Sequence, residues 1–230
     1  MFFEALGEAR RYGTAYQTFE NSDFSENIFV LWRDDAPKND RGMIPCVVVD
    51  PGLEPQEAIR FIQDKSLAPE AILITHGHCD HIAGVDAFVR FWPQVDILIG
   101  AGDRSKLADP EGNLSAYFGL PITVRAAAAA LGDGEKFTRA GLSFQAIEIP
   151  GHSQGHMVYE LLETEPPAVF VGDVIFAGSI GRTDFPGGST SQLLDGIRKK
   201  ILAFPDDTIL YTGHGPATTP GKEKKNNMWL

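Results

Sequence analysis

Short apolar runs recur along the chain, and glycine, proline or acidic residues flank them. They are rich in β-branched residues and have the length of strands rather than of helices. The runs occupy residues 28–32, 46–49, 71–75, 96–99, 142–149, 157–162, 168–171 and 208–211. The pattern therefore predicts a strand-rich protein.

Three segments between these runs carry apolar residues at helical spacing, namely residues 55–65, 82–91 and 190–204. Residues 34–42 and 108–120 are predicted loops, and neither has the composition of a domain linker. Strands interrupted by a few helices favour a layered α/β (α+β) architecture, with sheet inside and helices outside. We therefore expect one domain over residues 1–230.

Net charge, the length of apolar runs and the cysteine content limit which partners and which cellular location we expect. The 230 residues carry 20 Lys and Arg against 31 Asp and Glu, giving a net charge of −11. An acidic chain without a basic stripe is not expected to bind nucleic acid or an anionic membrane surface. No apolar run reaches the roughly 18 residues of a spanning helix, and residues 1–4 show no export signal. Cys46 and Cys79 make no disulfide framework, so we expect a cytoplasmic protein.

All six histidines lie in glycine-containing segments that follow predicted strands. Segment 75–81 holds His76, His78, Asp80 and His81, segment 150–156 holds His152 and His156, and segment 213–216 holds His214. In extended backbone, residues two apart point to the same side, so His76 and His78 can face one point. A lone loop histidine is usually only hydrogen-bonded, but clustered imidazoles and a carboxylate suit zinc, iron or manganese. The spacing therefore predicts a metal site without identifying the metal.

Two further residues, Asp173 and Cys79, could take part in the chemistry of such a site. Asp173 ends the strand-like segment 169–173, where a carboxylate can either bridge two cations or cap a turn. Cys79 lies among the histidines, but no base is dedicated to it, so we do not expect it to act as a nucleophile.

The motifs in their order resemble the metallo-β-lactamase superfamily, whose T-H-x-H-x-D-H signature matches residues 75–81. Within it, the chain looks like the short bacterial form of the glyoxalase II group, the hydroxyacylglutathione hydrolases, which lacks the extra helical domain. The matching stretches are residues 50–52, 75–84, 150–156, 172–176, 181–186 and 213–219. The resemblance implies a four-layer αββα sandwich with metals at one edge.

The same resemblance implies a role for each matching residue. His76, His78 and His152 would bind a first metal, Asp80, His81 and His214 a second, and Asp173 would bridge the two. The metals would be two divalent ions, with zinc favoured over iron or manganese. His156 matches a position that is not a metal ligand, where it would support a ligand or contact substrate, and Asp50 would orient the ligand loops.

The implied reaction is hydrolysis of a small-molecule thioester such as S-lactoylglutathione by a metal-bound hydroxide that Asp80 also orients. The products would be glutathione and a hydroxy acid. Charge alone suggests Arg182 and Lys222, beside Lys224 and Lys225, as substrate contacts, although a solvated basic tail explains the lysines equally well. The tail also reads Asn227-Met228 where the short family members usually have Asn-Pro.

Three other functions stay open at the level of sequence. A persulfide dioxygenase would use one iron on His76, His152 and Asp173, and shares the Gly-Arg-Thr-Asp-Phe stretch at residues 181–185. A hydrolase of another substrate class, such as an ester, lactone, phosphodiester or β-lactam, would use the same scaffold. A non-catalytic binding module is disfavoured by the complete ligand set. The number of metals and the substrate would separate these functions.

Overall fold

The structure is a computed structural model that describes residues 14–20, 25–162 and 164–230. Residues 1–4, on which the expectation about an export signal depends, lie outside the described residues. Within the described ranges, no helix combines the length and the apolar character that crossing a membrane requires.

Two β-sheets form the centre of the protein. The first contains β1 (Thr14–Glu20), β2 (Asn27–Arg33), β3 (Ile44–Val49), β4 (Leu67–Ile74), β5 (Asp96–Gly100) and β6 (Ala129–Leu131) in that order. The strands β1 to β3 pair antiparallel, whereas β3 to β6 pair parallel. The parallel part places the carboxyl ends of its strands along one edge of the sheet.

The second sheet has five strands and a separate hairpin follows one of them. Its strands are β7 (Lys136–Arg139), β8 (Leu142–Glu148), β9 (Met157–Leu161), β10 (Ala168–Gly172) and β13 (Ile209–Thr212). The spatial order is β13-β10-β9-β8-β7, and only β10 and β13 run parallel. The hairpin consists of β11 (Ile175–Phe176) and β12 (Ser179–Ile180).

Helices cover the outer faces. They are α1 (Gln56–Asp64), α2 (Cys79–Ile82), α3 (Val85–Phe91), α4 (Thr190–Gly196) and α5 (Pro220–Asn226), with 3-10 helices at Ala101–Ala108 and Ser115–Phe118. The side chains of Ile62 in α1 and Phe88 in α3 pack on one face of the first sheet. Leu193 in α4 packs on the outer face of the second sheet, and another apolar cluster fills the space between the sheets. The predicted four-layer αββα sandwich is therefore confirmed.

Some elements differ from the predicted pattern. The strands β1 and β7 lie at sheet edges and have mostly polar, partly exposed side chains, so they lack a strong apolar run. The predicted helix 82–91 is interrupted around Gly84, between α2 and α3, and a Cβ at Gly84 would collide with the carbonyl oxygen of Pro51. The predicted helix 190–204 changes to a π-helical turn at Ile197–Ile201. The predicted loop 108–120 contains the 3-10 turn Ser115–Phe118.

The C-terminal segment is fastened by a buried carboxylate despite its departure from the usual Asn-Pro ending. Glu223 accepts hydrogen bonds from the hydroxyl of Thr218, from the backbone N–H of Gly178 at 2.9 Å and from Asn227 at 2.9 Å. The side chain of Asn227 also donates to the carbonyl oxygen of Ser179 at 2.9 Å. These bonds hold α5 against the β11–β12 hairpin.

The Glu223→Gln variant tests this fastening. We expect its free energy of unfolding to fall by about 1–3 kcal/mol, because a neutral amide is a weaker acceptor than the carboxylate for the buried N–H groups of Gly178 and Asn227. Urea denaturation measures the change. Glu57→Gln, at an exposed position of α1, is the control and should stay within about 0.5 kcal/mol of the wild type. Equal stability of both variants would contradict the role of Glu223.

Candidate metal centre

The loops that carry the histidines meet at one end of the two sheets. Segment 75–78 follows β4, segment 149–156 enters β9, Asp173 follows β10 and segment 213–216 follows β13. The strands β10 and β13 run parallel and β9 runs antiparallel to β10, so these three connections emerge at the same end. Topology therefore brings together residues that are far apart in sequence.

Three ring nitrogens form a first group. The Nε2 atom of His152 lies 3.1 Å from Nε2 of His76 and 2.9 Å from Nδ1 of His78. All three side chains are buried, and burial together with the neighbouring histidines lowers the pKa of His76 and His78 well below the ordinary imidazole value. A neutral imidazole ring keeps a free lone pair on one nitrogen, and metal binding requires this neutral state.

A second group consists of Asp80, His81 and His214. The Nε2 atom of His214 lies 3.4 Å from Oδ2 of Asp80, and Nε2 of His81 lies 3.8 Å from the same oxygen. Burial disfavours the charged form of His214, but its contacts with Asp173 and Asp80 raise its pKa to about 10 in the metal-free protein. This group thus combines carboxylate and imidazole donors at short range.

Asp173 lies between the two groups. Its Oδ1 atom is 3.4 Å from Nε2 of His81, whereas Oδ2 is 3.6 Å from Nε2 of His152 and 3.5 Å from Nε2 of His214. Burial would raise the pKa of Asp173, but the nearby histidines, His81 above all, hold it well below the usual range. The carboxylate therefore contacts both groups, since Oδ2 faces one histidine of each group and Oδ1 faces a second histidine of the second group.

The donor set fits metal ions by a separate observation. Nε2 of His81 and Oδ1 of Asp173 are buried and lie 3.4 Å apart, but neither atom makes a well-aligned hydrogen bond to the other or to another described residue. Such orphaned buried atoms are costly unless something satisfies them. The backbone of Gly213 also lies close to the carboxylate of Asp173, since a Cβ on Gly213 would collide with Oδ1 of Asp173. These residues can hold one or more divalent ions.

Asp50 anchors the ligand segment that follows β4. Its Oδ1 accepts the backbone N–H of Thr75 at 2.8 Å, and its Oδ2 accepts the hydroxyl of Thr75 at 2.7 Å. The same Oδ2 lies 2.9 Å from Nδ1 of His81. Because Nδ1 of His81 is hydrogen-bonded to Asp50, the other ring nitrogen, Nε2, is directed toward Asp80 and Asp173.

His156 belongs to none of the groups that could hold a metal among the described residues. Its Nε2 accepts the backbone N–H of Asp173 at 3.1 Å, and its ring stacks on His76 with centroids 4.8 Å apart. Burial lowers the pKa of His156 to about 3, which keeps Nε2 available as an acceptor. This histidine therefore contacts two of the predicted ligands and supports their placement.

The residues suggested as substrate contacts lie outside the cluster. The guanidinium of Arg182 makes two 2.7 Å contacts with Asp184 and lies 4.0 Å from the centroid of the Phe185 ring. The Phe185 ring in turn meets His78 at a centroid distance of 5.7 Å. Lys222 is exposed on α5. Arg182 is thus adjacent to the first group, with its charge already paired.

Two buried carboxylates were missed by sequence reasoning. Glu26 lies 3.9 Å from Nδ1 of His81, and neither of its oxygens has a hydrogen-bond partner among the described residues. Asp103 accepts backbone N–H groups from Gly77 and Gly155. Neither carboxylate has a histidine within two residues, and no local motif marks it. The only usable signal would have been an acidic residue at the border of a predicted strand.

Known proteins are similar to this chain in both sequence and fold. Residues 43–214 match the family model described as the metallo-beta-lactamase superfamily. Hydroxyacylglutathione hydrolase GloC of Haemophilus influenzae is 35% identical over 214 residues, which cover 90% of this chain and 93% of that protein.

Two solved structures are similar over most of the chain. The BLEG-1 B3 metallo-beta-lactamase has a TM-score of 0.84 at 35% identity and covers 94% of this chain and 99% of its own. TTHA1623, solved in a di-iron-bound form, has a TM-score of 0.76 at 30% identity and covers 93% and 100%. The family model includes every residue of the two groups and Asp173. The chain therefore belongs to the metallo-β-lactamase superfamily and is similar to its hydroxyacylglutathione hydrolases.

Proposed function

We propose that the protein hydrolyses a small-molecule thioester such as S-lactoylglutathione to glutathione and a hydroxy acid. The observation that carries the proposal is the position of Asp173 between two groups of potential metal ligands. The relative named hydroxyacylglutathione hydrolase supports the substrate class. Membership of a superfamily of metal-dependent hydrolases supports the reaction type.

Two divalent ions are part of the proposal, with zinc favoured over iron or manganese. His76, His78 and His152 would hold one, and Asp80, His81 and His214 the other, with Asp173 between them. When bound, such ions lower the pKa of a shared water toward about 7 and polarise a carbonyl oxygen. The relative solved in a di-iron-bound form supports a two-metal site.

The chain's own groups orient the reactants. Asp80 is partly exposed at the site, and burial raises its pKa less than His81 and His214 lower it, so it stays ionised. Its carboxylate can accept a hydrogen bond from the attacking water and direct the oxygen lone pair toward the thioester carbon. Asp50 and His156 keep the ligand side chains in place through the contacts described above.

Substrate contacts are proposed near the first group. Arg182 would meet the carboxylates of a glutathione moiety only by sharing its guanidinium with Asp184 or by leaving that pair. Lys222 is exposed and would act as a peripheral cation. These two assignments depend on charge rather than on an observed pocket.

Purified protein tests the proposal directly. We expect about two metal ions per chain by elemental analysis and loss of thioester absorbance with S-lactoylglutathione, because the seven ligands divide into two groups. A nitrocefin assay on the same sample tests β-lactam hydrolysis, the activity after which the similar BLEG-1 protein is named. Absence of thioester cleavage by protein that retains its metals would refute the substrate class.

A second candidate uses the same residues differently. His76, His152 and Asp173 lie together, with His152 within 3.1 Å of His76 and 3.6 Å of Asp173, and could hold one iron. The protein would then be a glutathione persulfide dioxygenase. One iron per chain with oxygen uptake on glutathione persulfide would favour this function over the hydrolase.

A further inference from the structure

Asp103 connects the two loops that carry the first group of histidines. Its Oδ2 accepts the backbone N–H of Gly77 at 2.8 Å, and its Oδ1 accepts the backbone N–H of Gly155 at 2.8 Å. Gly77 separates His76 from His78, and Gly155 lies between His152 and His156. A single carboxylate thus bridges the backbones of two loops that are more than seventy residues apart in sequence.

The surroundings of Asp103 hold the bridge in place. The residue is fully buried in the 3-10 helix Ala101–Ala108, and Nζ of Lys106 lies 3.1 Å from its Oδ1. The backbone at the end of β5 and the start of this helix touches the second loop, since a Cβ on Gly100 or Gly102 would collide with Gly155. Substituting the carboxylate therefore changes the link between the loops and leaves little room for another group to replace it.

We propose that Asp103 is a positioning residue that sets the distance between His76 and His78 on one loop and His152 on the other, and thereby raises metal affinity. The inference rests on the proposed metal binding and not on the proposed substrate. Its physical basis is preorganisation, because a site assembled before the metal arrives loses less conformational entropy on binding.

The Asp103→Asn variant tests the proposal. An amide retains one acceptor, but its nitrogen faces a backbone N–H, so one of the two links is lost while the side-chain volume is nearly unchanged. We expect zinc affinity, measured by competition with a chromophoric chelator, to fall about 10- to 100-fold. Unfolding with and without zinc supplies the second readout, since a tenfold loss of affinity removes about 1.4 kcal/mol of zinc-dependent stabilisation.

Glu223→Gln is the matched control. Glu223 is also a buried carboxylate that accepts a loop N–H, but it touches neither loop of the first group. We expect it to destabilise the zinc-free and zinc-loaded protein equally and to leave zinc affinity unchanged.

The outcomes separate this inference from the proposed function. If the wild type binds zinc and Asp103→Asn binds it equally well, the role of Asp103 is refuted and the proposed function stands. If the wild type binds none of zinc, iron and manganese, the metal binding on which both depend is refuted. Should Asp103→Asn not fold, amide hydrogen exchange of the zinc-free wild type decides. Protected Gly77 and Gly155 amides support the bridge, and exchange as fast as in exposed loops overturns it.

Discussion

Replacing Asp173 by alanine is expected to reduce thioester turnover by more than about 100-fold. Mutating a residue that only hydrogen-bonds to a metal ligand typically costs about 10- to 100-fold, so this loss would be larger. The variant should also retain fewer metal ions per chain. The reason is geometric, because one carboxylate oxygen faces His81 and the other faces His152 and His214. No other carboxylate within the described ranges has contacts with both groups in this way. Its loss leaves the two groups unconnected.

Elemental analysis and steady-state kinetics on the same preparations measure the effect. Asp173→Asn keeps the size and one acceptor oxygen but removes the negative charge, so we expect a loss of metal intermediate between wild type and Asp173→Ala. Asp195→Ala removes an exposed ion pair between α4 and Lys199 in the following π-helical turn, and it should leave metal content and turnover unchanged. Wild-type metal content and turnover in Asp173→Ala would refute the bridging assignment.

Much of the centre could be predicted because its signals are local. The segment 75–81 has ligand residues at fixed spacing, and strand ends at β4, β10 and β13 place their following loops at one end of the fold. Asp50 lies 2.9 Å from Nδ1 of His81, and His156 accepts the backbone N–H of Asp173, but their roles stay predictions. Which residues bind metal, and how many ions, stays a prediction.

Other features depend on contacts between distant segments. Asp103 functions only because a helix after β5 touches loops from both sheets, and Glu26 reaches His81 from a position before β2. The edge strands β1 and β7 form because a neighbouring strand offers hydrogen bonds, although their own side chains are mostly polar. No periodicity in the sequence reports such pairings, because they are properties of the packed structure.

Gly213→Ala is expected to reduce turnover and metal retention by about 10- to 100-fold, as for mutations that displace a ligand. Gly213 does not have a positive φ, so the need for glycine comes from space. An added Cβ would lie under 3.0 Å from both Oδ1 of Asp173 and Cε1 of His81, and one of these must move. The backbone cannot easily retreat, because Gly213 donates to Gly172 and accepts from Asn27, both at 2.8 Å.

Gly215→Ala is a neighbouring control, because Gly215 is constrained by its backbone conformation and not by close contacts. Gly215 has φ of +68°, but an added Cβ would meet nothing within 4 Å. Backbone strain should therefore lower its free energy of unfolding by about 1–2 kcal/mol while metal content and turnover persist. Thermal unfolding, elemental analysis and kinetics on the two variants separate strain from contact. Equal losses of metal in both variants, or none in Gly213→Ala, would show that close approach at Gly213 does not set the position of Asp173.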